Sequence, residues 1–404
     1  MGMFIIDTFS FLDPITSEPL GNNGLNDQIG GGGCYFAVGA RVFLPPCNIQ
    51  MIIDRGCDWR PSDQAVLDCF DQTCSVGGSR SGSMWKYRSR PDGTTRAVNI
   101  YKGEHRGFDY LSPKIRLQPA DLQECNQGEL PEWFHLICSP ERALETIAQV
   151  DNILRREEDG GKGWPKLIYE PIPDSCAPEN LQECLRVLPK LQVFSPNHEE
   201  AACLLGLQHE WEKVKKSSTE SIVDFITNML AGSFVEHLMQ SQEGIDSGQD
   251  ADARGPIICI RSGAWGSVVG RAGLGFSHVP AWHTPSQTTQ TKAAQVQISA
   301  GEGSKSSSLS SMDTRASKIK DVTGAGNSFL GGFAAYLVKT EETDGIDEGI
   351  RLREAAMHGA VSASLIIEQL GLPHFKVQEG VGELWNGDRA EERLQVLRER
   401  AQTQ

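Results

Sequence analysis

This chain has no net positive charge. Its 38 Lys and Arg stand against 53 Asp and Glu, a formal net charge of −15, which argues against direct nucleic-acid binding across a broad surface. Long apolar runs are missing as well. No stretch approaches the roughly 18–20 uninterrupted apolar residues of a membrane span, so no membrane role is expected. The start, Met1-Gly2-Met3-Phe4-Ile5-Ile6-Asp7, has neither the basic nor the extended apolar part of a signal peptide. No Asn-x-Ser/Thr acceptor occurs. The 11 cysteines contain no Cys-x-x-Cys pair, which disfavours a disulfide framework and a structural zinc site alike. Free thiols in a cytoplasmic protein are the expectation. The 404 residues, 39% of them hydrophobic, suffice for one large α/β domain or two ordinary ones.

The most informative stretch is Asp321-Val322-Thr323-Gly324-Ala325-Gly326-Asn327-Ser328-Phe329-Leu330-Gly331-Gly332-Phe333. A polar, glycine-rich loop runs into a proline-free apolar segment, 329–338, that suits a buried helix. The backbone N–H groups of Gly324, Ala325 and Gly326 then stand at a helix N-terminus. Unpaired donors and the helix dipole favour an anion there, usually a phosphate. Elsewhere short apolar strands alternate with helical stretches. Strands are read near 52–53, 135–138, 166–171, 191–194 and 256–260, with a helix over about 140–156 and another over 351–370. That alternation predicts an α/β fold with a mostly parallel sheet covered on both faces and functional residues at the strands' C-terminal ends. Residues 94–101 are β-rich and partly alternating.

Several residues read two ways. Asp7 ends an apolar strand, and a carboxylate there either binds substrate hydroxyls or is a plain strand-end acid. The run Gly30-Gly31-Gly32-Gly33 opens a small-residue helix, and lets backbone approach a ligand or simply turn. Its spacing lacks the Gly-x-Gly-x-x-Gly of a dinucleotide site. Asn197 and Glu200 fit a helix cap and its capping box, and equally a phosphate contact and a Mg²⁺-organising carboxylate. Residues 283–319, rich in Ser, Thr, Gln and Lys, predict a disordered insertion, and residues 386–404 a charged helical tail.

In order along the chain, these landmarks resemble the ribokinase-like (PfkB) sugar and nucleoside kinases. Asp321-x-Thr323-Gly324-Ala325-Gly326 followed by a polar residue is similar to the family's second signature. The resemblance implies a three-layer α/β/α domain over residues 1–385, with a small β lid from strands at about 8–30 and 90–112. Gly2 and Asp7 have the family's first-strand spacing, which implies a chain that begins partway into that strand. Gly31, Gly32 and Tyr35 resemble the substrate-binding glycine motif. Tyr35 replaces an asparagine, which implies a smaller or less polar acceptor than ribose. Asn197 and Glu200 match the Asn-x-x-Glu that organises phosphate and water-coordinated Mg²⁺. Gly263 and Gly266 match a hairpin beside the nucleotide, Thr323 belongs to the signature, and His358 is the candidate beside the adenine.

The family's general base is an aspartate where this chain has Asn327, and an amide cannot accept the proton. Three outcomes follow: Asp321 serves instead, the protein is a slow kinase, or it binds ATP and a sugar or nucleoside without turnover. The run Phe108-Asp109-Tyr110-Leu111-Ser112-Pro113-Lys114, with the residues after Gly326, is most similar to the fungal killer-maintenance subgroup. Its members are ribokinase-like proteins that support double-stranded-RNA virus particles, which implies protein contacts as the alternative to catalysis. A homodimer through the lid is also expected.

Overall fold

Strands that bury both faces lie in the middle of this molecule, and strands that alternate buried with exposed side chains lie at its rim. The computed structural model describes residues 1–22, 25–73, 82–102, 105–155, 163–242, 255–284 and 318–402. From the N-terminus, β1 (Ile5–Leu12) pairs antiparallel with β2 (Pro19–Gly21) and with β3 (Gln28–Gly30). Strands β4 (Met51–Arg55) and β5 (Trp85–Ser89) form a separate parallel pair. The chain then returns to β1. Strand β6 (Arg96–Lys102) runs parallel to it, and β7 (His105–Tyr110) runs antiparallel to β6 and completes the lid.

The central sheet follows as β8 (Trp133–Cys138), β9 (Lys166–Pro171), β10 (Val193–Phe194), β11 (Ile257–Arg261), β12 (Ser267–Arg271) and β13 (Gly275–Val279). Their spatial order is β13-β12-β11-β10-β9-β8. The strands β8 to β11 are parallel, and β12 and β13 are antiparallel at one edge. A hairpin, β14 (Phe375–Gln378) with β15 (Gly382–Trp385), lies near the C-terminus.

The period of two in each central strand divides the core. On β9, Leu167 and Tyr169 enter one apolar cluster and Ile168 the other. On β11, Ile258 and Ile260 face the first cluster while Ile257 and Cys259 face the second. One face is covered by helices such as Pro140–Leu154, the other by the helices Gly32–Arg41, Ala325–Lys339 and Glu348–Ile366. The expected three-layer arrangement with a small lid is therefore present.

The structure differs from the sequence reading in detail. Strand β1 starts at Ile5 and continues through Leu12, so Asp7 sits inside a lid strand, fixed by the register Asp7↔Ala97. The pair β4–β5 stands apart from the central sheet, and a cavity of about 430 Å³ lies between Met51 and the stretch Trp133 to His135. Helix Pro140–Leu154 stops short of 156, within the usual fraying of a helix end. The expected insertion at 283–319 lies almost wholly outside the described residues. In the tail, helix Ala390–Gln402 buries Leu394 and Leu397 and joins Arg393 to Glu368 at 2.8 Å.

Candidate functional site

Parallel strands deliver their last residues to one edge. Glu170 on β9, Ser195 just beyond β10 and Arg261 ending β11 are therefore neighbours. His135 lies on β8, whose Ile137 pairs with Glu170. Over this edge stands the N-terminus of helix Ala325–Lys339, the position where α/β sheets bind ligands.

The helix begins as its sequence predicts. Gly324 is the N-cap residue with φ 76°, a left-handed conformation that favours glycine, and a side chain there would run into the Tyr35 ring. Ser328 N–H donates to Gly324 O at 2.9 Å, which is the first helical bond. The amides before it have no partner within the helix. One of the three candidate donors is partly spent, because Ala325 N–H turns back to Val322 O at 3.2 Å. Asp321, the candidate replacement base, accepts from Thr323 N–H at 3.1 Å and from the Thr323 hydroxyl at 2.7 Å. Those bonds shape the loop.

Asn327 sits in the first turn, and its neighbours are the main finding. Its Nδ2 donates to Glu170 Oε2 at 2.8 Å. The same oxygen accepts from His135 Nε2 at 3.2 Å. The other oxygen, Oε1, is 2.8 Å from Arg261 Nη1. Arg261 Nη2 donates to Ser195 O at 2.9 Å and lies 3.6 Å from Glu200 Oε2. Burial pushes the Glu170 carboxyl up, but Arg261, His135 and Asn327 together outweigh it and hold it below the usual range. Burial lowers the pKa of His135, which favours the neutral ring, and its Nε2–H donates a hydrogen bond to Glu170. The guanidinium lies so close to the helix start that a methyl on Gly326 would coincide with Nη1.

Asn197 and Glu200 form the capping box that starts helix His198–Leu204. Glu200 N–H donates to Asn197 Oδ1 at 2.8 Å and Asn197 N–H to Glu200 Oε2 at 2.7 Å. Burial raises the Glu200 carboxyl to about 7, the largest influence on it, against the opposing pull of Arg261. Among the described residues no group of three His, Cys, Asp or Glu side chains could hold a metal ion. The cation beside Glu170 and Glu200 is Arg261. These residues do not fit a directly held metal.

The residues expected to hold an acceptor lie near one another. Asp7 and Tyr35 are both buried and meet at Gly30, and a side chain on Gly32 would press on Ile137 and come within 3.3 Å of the Asn327 amide. Gly31 is the N-cap of helix Gly32–Arg41. Gly263 and Gly266 shape the turn between β11 and β12, and Ser262 N–H closes it on Gly266 O at 2.7 Å. At that turn Arg261 Nε and Ser262 Oγ are buried without partners among the described residues, which suits a ligand bearing acceptors.

His358 is not brought to this site. It packs between Phe43 and Tyr336 with ring centroids 4.5 and 4.4 Å away, bonds Glu354 O at 2.7 Å, and is pushed down to about 4 by burial. Helix packing gives it that place.

Sequence reasoning passed over Glu170, His135 and Arg261. Their signal is charge at the end of apolar strands, Ile-Tyr-Glu-Pro and Ile-Cys-Ile-Arg, because buried charges need partners.

No family model matches the chain. It is 29% identical to an uncharacterized protein of Schizosaccharomyces pombe, over 97% of this chain and 90% of the relative. It is 27% identical to protein MAK32 of Saccharomyces cerevisiae, over 96% of this chain and 87% of MAK32. Among solved structures it is similar to an Anopheles gambiae adenosine kinase in complex with P1,P4-di(adenosine-5) tetraphosphate. The TM-score is 0.53 at 15% identity, covering 92% of this chain and 95% of that one. A Cryptococcus neoformans ribokinase in complex with ADP gives 0.52 at 16% identity, covering 99% and 97%. The chain thus has the ribokinase-like fold and is similar along nearly its whole length to fungal MAK32.

Proposed function

We propose that this protein binds ATP at the start of helix Ala325–Lys339 and transfers its phosphoryl group to a sugar or nucleoside hydroxyl slowly or not at all. The observation that carries this reading is the Asn327 amide locked to Glu170, which is itself ion-paired to Arg261. An amide has no proton-accepting oxygen in the useful range. Glu170 has one, but both of its oxygens are occupied and its pKa is held down, which makes it a poor base.

The remaining assignments follow from position. The amides of Gly324 and Gly326 face the phosphates, with Thr323, Asn197, Gly263 and Gly266 around the nucleotide. Asp7, Gly31, Gly32 and Tyr35 bound the acceptor side. Mg²⁺ arrives on the ATP phosphates as part of the substrate. The setting we infer is cytoplasmic; no helix among the described residues is long and apolar enough to cross a membrane.

Titration calorimetry with a non-hydrolysable ATP analogue and Mg²⁺, and phosphate release measured over a panel of sugars and nucleosides, test the proposal. Saturable binding with turnover about 10²–10⁴-fold below that of a base-containing kinase is expected. Absence of nucleotide binding, or vigorous turnover by the wild type, refutes it.

A second reading, contact with another protein, is favoured by the lid. Ile15, Leu20, Phe108 and Leu111 expose large apolar side chains there. A second copy of the chain is the partner we propose.

A further inference from the structure

A second cavity opens beneath the lid, about 170 Å³ in volume. It lies on the acceptor side. Gly32, whose Cβ direction points at Ile137 and the Asn327 amide, forms part of its wall, and Tyr110 at the end of β7 forms another part. Its charge is unlike that of the rest of the molecule. Lys114, Arg116 and Arg142 line it, and no Asp or Glu does, in a chain whose net charge is −15.

Two of these cations are uncommitted. Among the described residues Lys114 and Arg116 have no carboxylate partner, and the Lys114 ammonium rests 4.3 Å over the Tyr110 ring. Arg142 is held in place, giving one Nη to Leu117 O at 3.2 Å and the other to the exposed Glu145 at 2.9 Å. Ser139 adds a hydroxyl to the wall and caps helix Pro140–Leu154, accepting from Arg142 N–H. Lys114 and Arg116 reach solvent at the mouth of this cavity, so their repulsion is screened, but their donors stay open to a ligand. A bound anion takes charge-assisted hydrogen bonds. A neutral sugar or nucleoside gives such a corner no counter-charge.

We propose that the small molecule bound beneath the lid carries an anionic group, a phosphate or carboxylate, held by Lys114, Arg116 and Arg142. The name acceptor for this molecule rests on the ATP-binding reading above; the charge of the cavity does not. With its anion in the basic corner, the ligand's hydroxyl end extends past Gly32 toward Asp7 and Asn327.

The test uses the full chain, calorimetry and four probes at equal concentration: a hexose monophosphate, a sugar acid, a neutral hexose and inorganic phosphate. The hexose monophosphate or the sugar acid should bind at least tenfold more tightly than the neutral hexose and than inorganic phosphate. The variants Lys114→Ala and Arg116→Ala change exposed side chains, and each should weaken that binding severalfold, the double variant tenfold or more. Equal binding of the neutral hexose, equal binding of inorganic phosphate, or an unaltered double variant overturns the proposal. ATP-analogue affinity measured in the same proteins reports on the nucleotide site separately. If the anion binds and the analogue does not, the ATP reading fails and the anion site stands.

Discussion

Restoring the family's base by Asn327→Asp is the obvious repair, and the structure says that it will fail alone. The new carboxylate would lie where the amide now donates to Glu170 Oε2 at 2.8 Å. Two charges about 3 Å apart repel by roughly 5 kcal/mol at an effective dielectric of about 20. The pair avoids this by keeping a proton, as closely spaced carboxylates do. A folded-state pKa raised above the unfolded one contributes stability at low pH and loses it as pH rises through the folded value. Asn327→Asp should therefore cost about 2–4 kcal/mol at pH 8 and less at pH 5. For a chain this long that is a fall of roughly 2–5 °C in Tm. Glu170→Gln alone takes the near partner from buried Arg261 and should cost about 3–5 kcal/mol. In the double variant the glutamine amide introduced by Glu170→Gln can donate to the carboxylate introduced by Asn327→Asp, and one carboxylate again adjoins Arg261. Thermal or urea unfolding of the four proteins gives the coupling, expected to be about 2 kcal/mol or more in favour of the double variant. Its turnover should exceed that of wild type and of either single variant. Costs that add within about 0.5 kcal/mol, or full turnover in Asn327→Asp with no dependence of its stability on pH, would refute the reasoning.

Glu200 makes a second pH prediction. Its carboxyl is raised to about 7 from 4.5, so its stability contribution is full below about pH 4.5 and is lost as pH rises through 7. Glu200→Gln keeps the capping box and cannot titrate, so the variant should gain relative to wild type between pH 5 and 8, by at most roughly 3 kcal/mol. Parallel Tm curves for the two proteins would count against it. For the lid, light scattering should show a dimer at micromolar concentration that Phe108→Glu with Leu111→Glu dissociates; a wild-type monomer throughout that range would remove the lid contact.

The fold could be read from the sequence because its signals are local. Runs such as Ile-Ile-Cys-Ile and the polar loop entering 329–338 each state a strand or a helix start within a few residues. The capping box at Asn197 and Glu200 was equally visible, since residues three apart at a helix start must meet. The ionic network was not legible. Glu170 and Arg261 are far apart in sequence and meet only because two parallel strands end at the same edge. The burial of His358 was not legible either. A histidine on a helix carries no local mark of which face will be buried, and packing against Phe43 and Tyr336 decided it.

On the proposed reading, the network also bears on how the phosphate site would coexist with an amide at position 327. With the family's aspartate beside Glu170, the sheet edge would hold three buried carboxylates, those two and Glu200, against one guanidinium. Asparagine removes one negative charge and adds a donor: Glu170 then has three donors, and Arg261 has Glu170, Glu200 and Ser195 O, with its Nε left over for a ligand. The cost falls on chemistry. A phosphate at Gly326 meets a guanidinium whose Nη1 is already paired with Glu170, so binding either draws Arg261 from that pair or uses its unpaired Nε and the backbone amides. The first course exposes Glu170 as an unpaired buried carboxylate and raises its pKa toward that of a useful base. Nucleotide binding and the appearance of a base would then be one event, and Asn327, with its amide on Glu170, would keep that carboxylate in place while it happened.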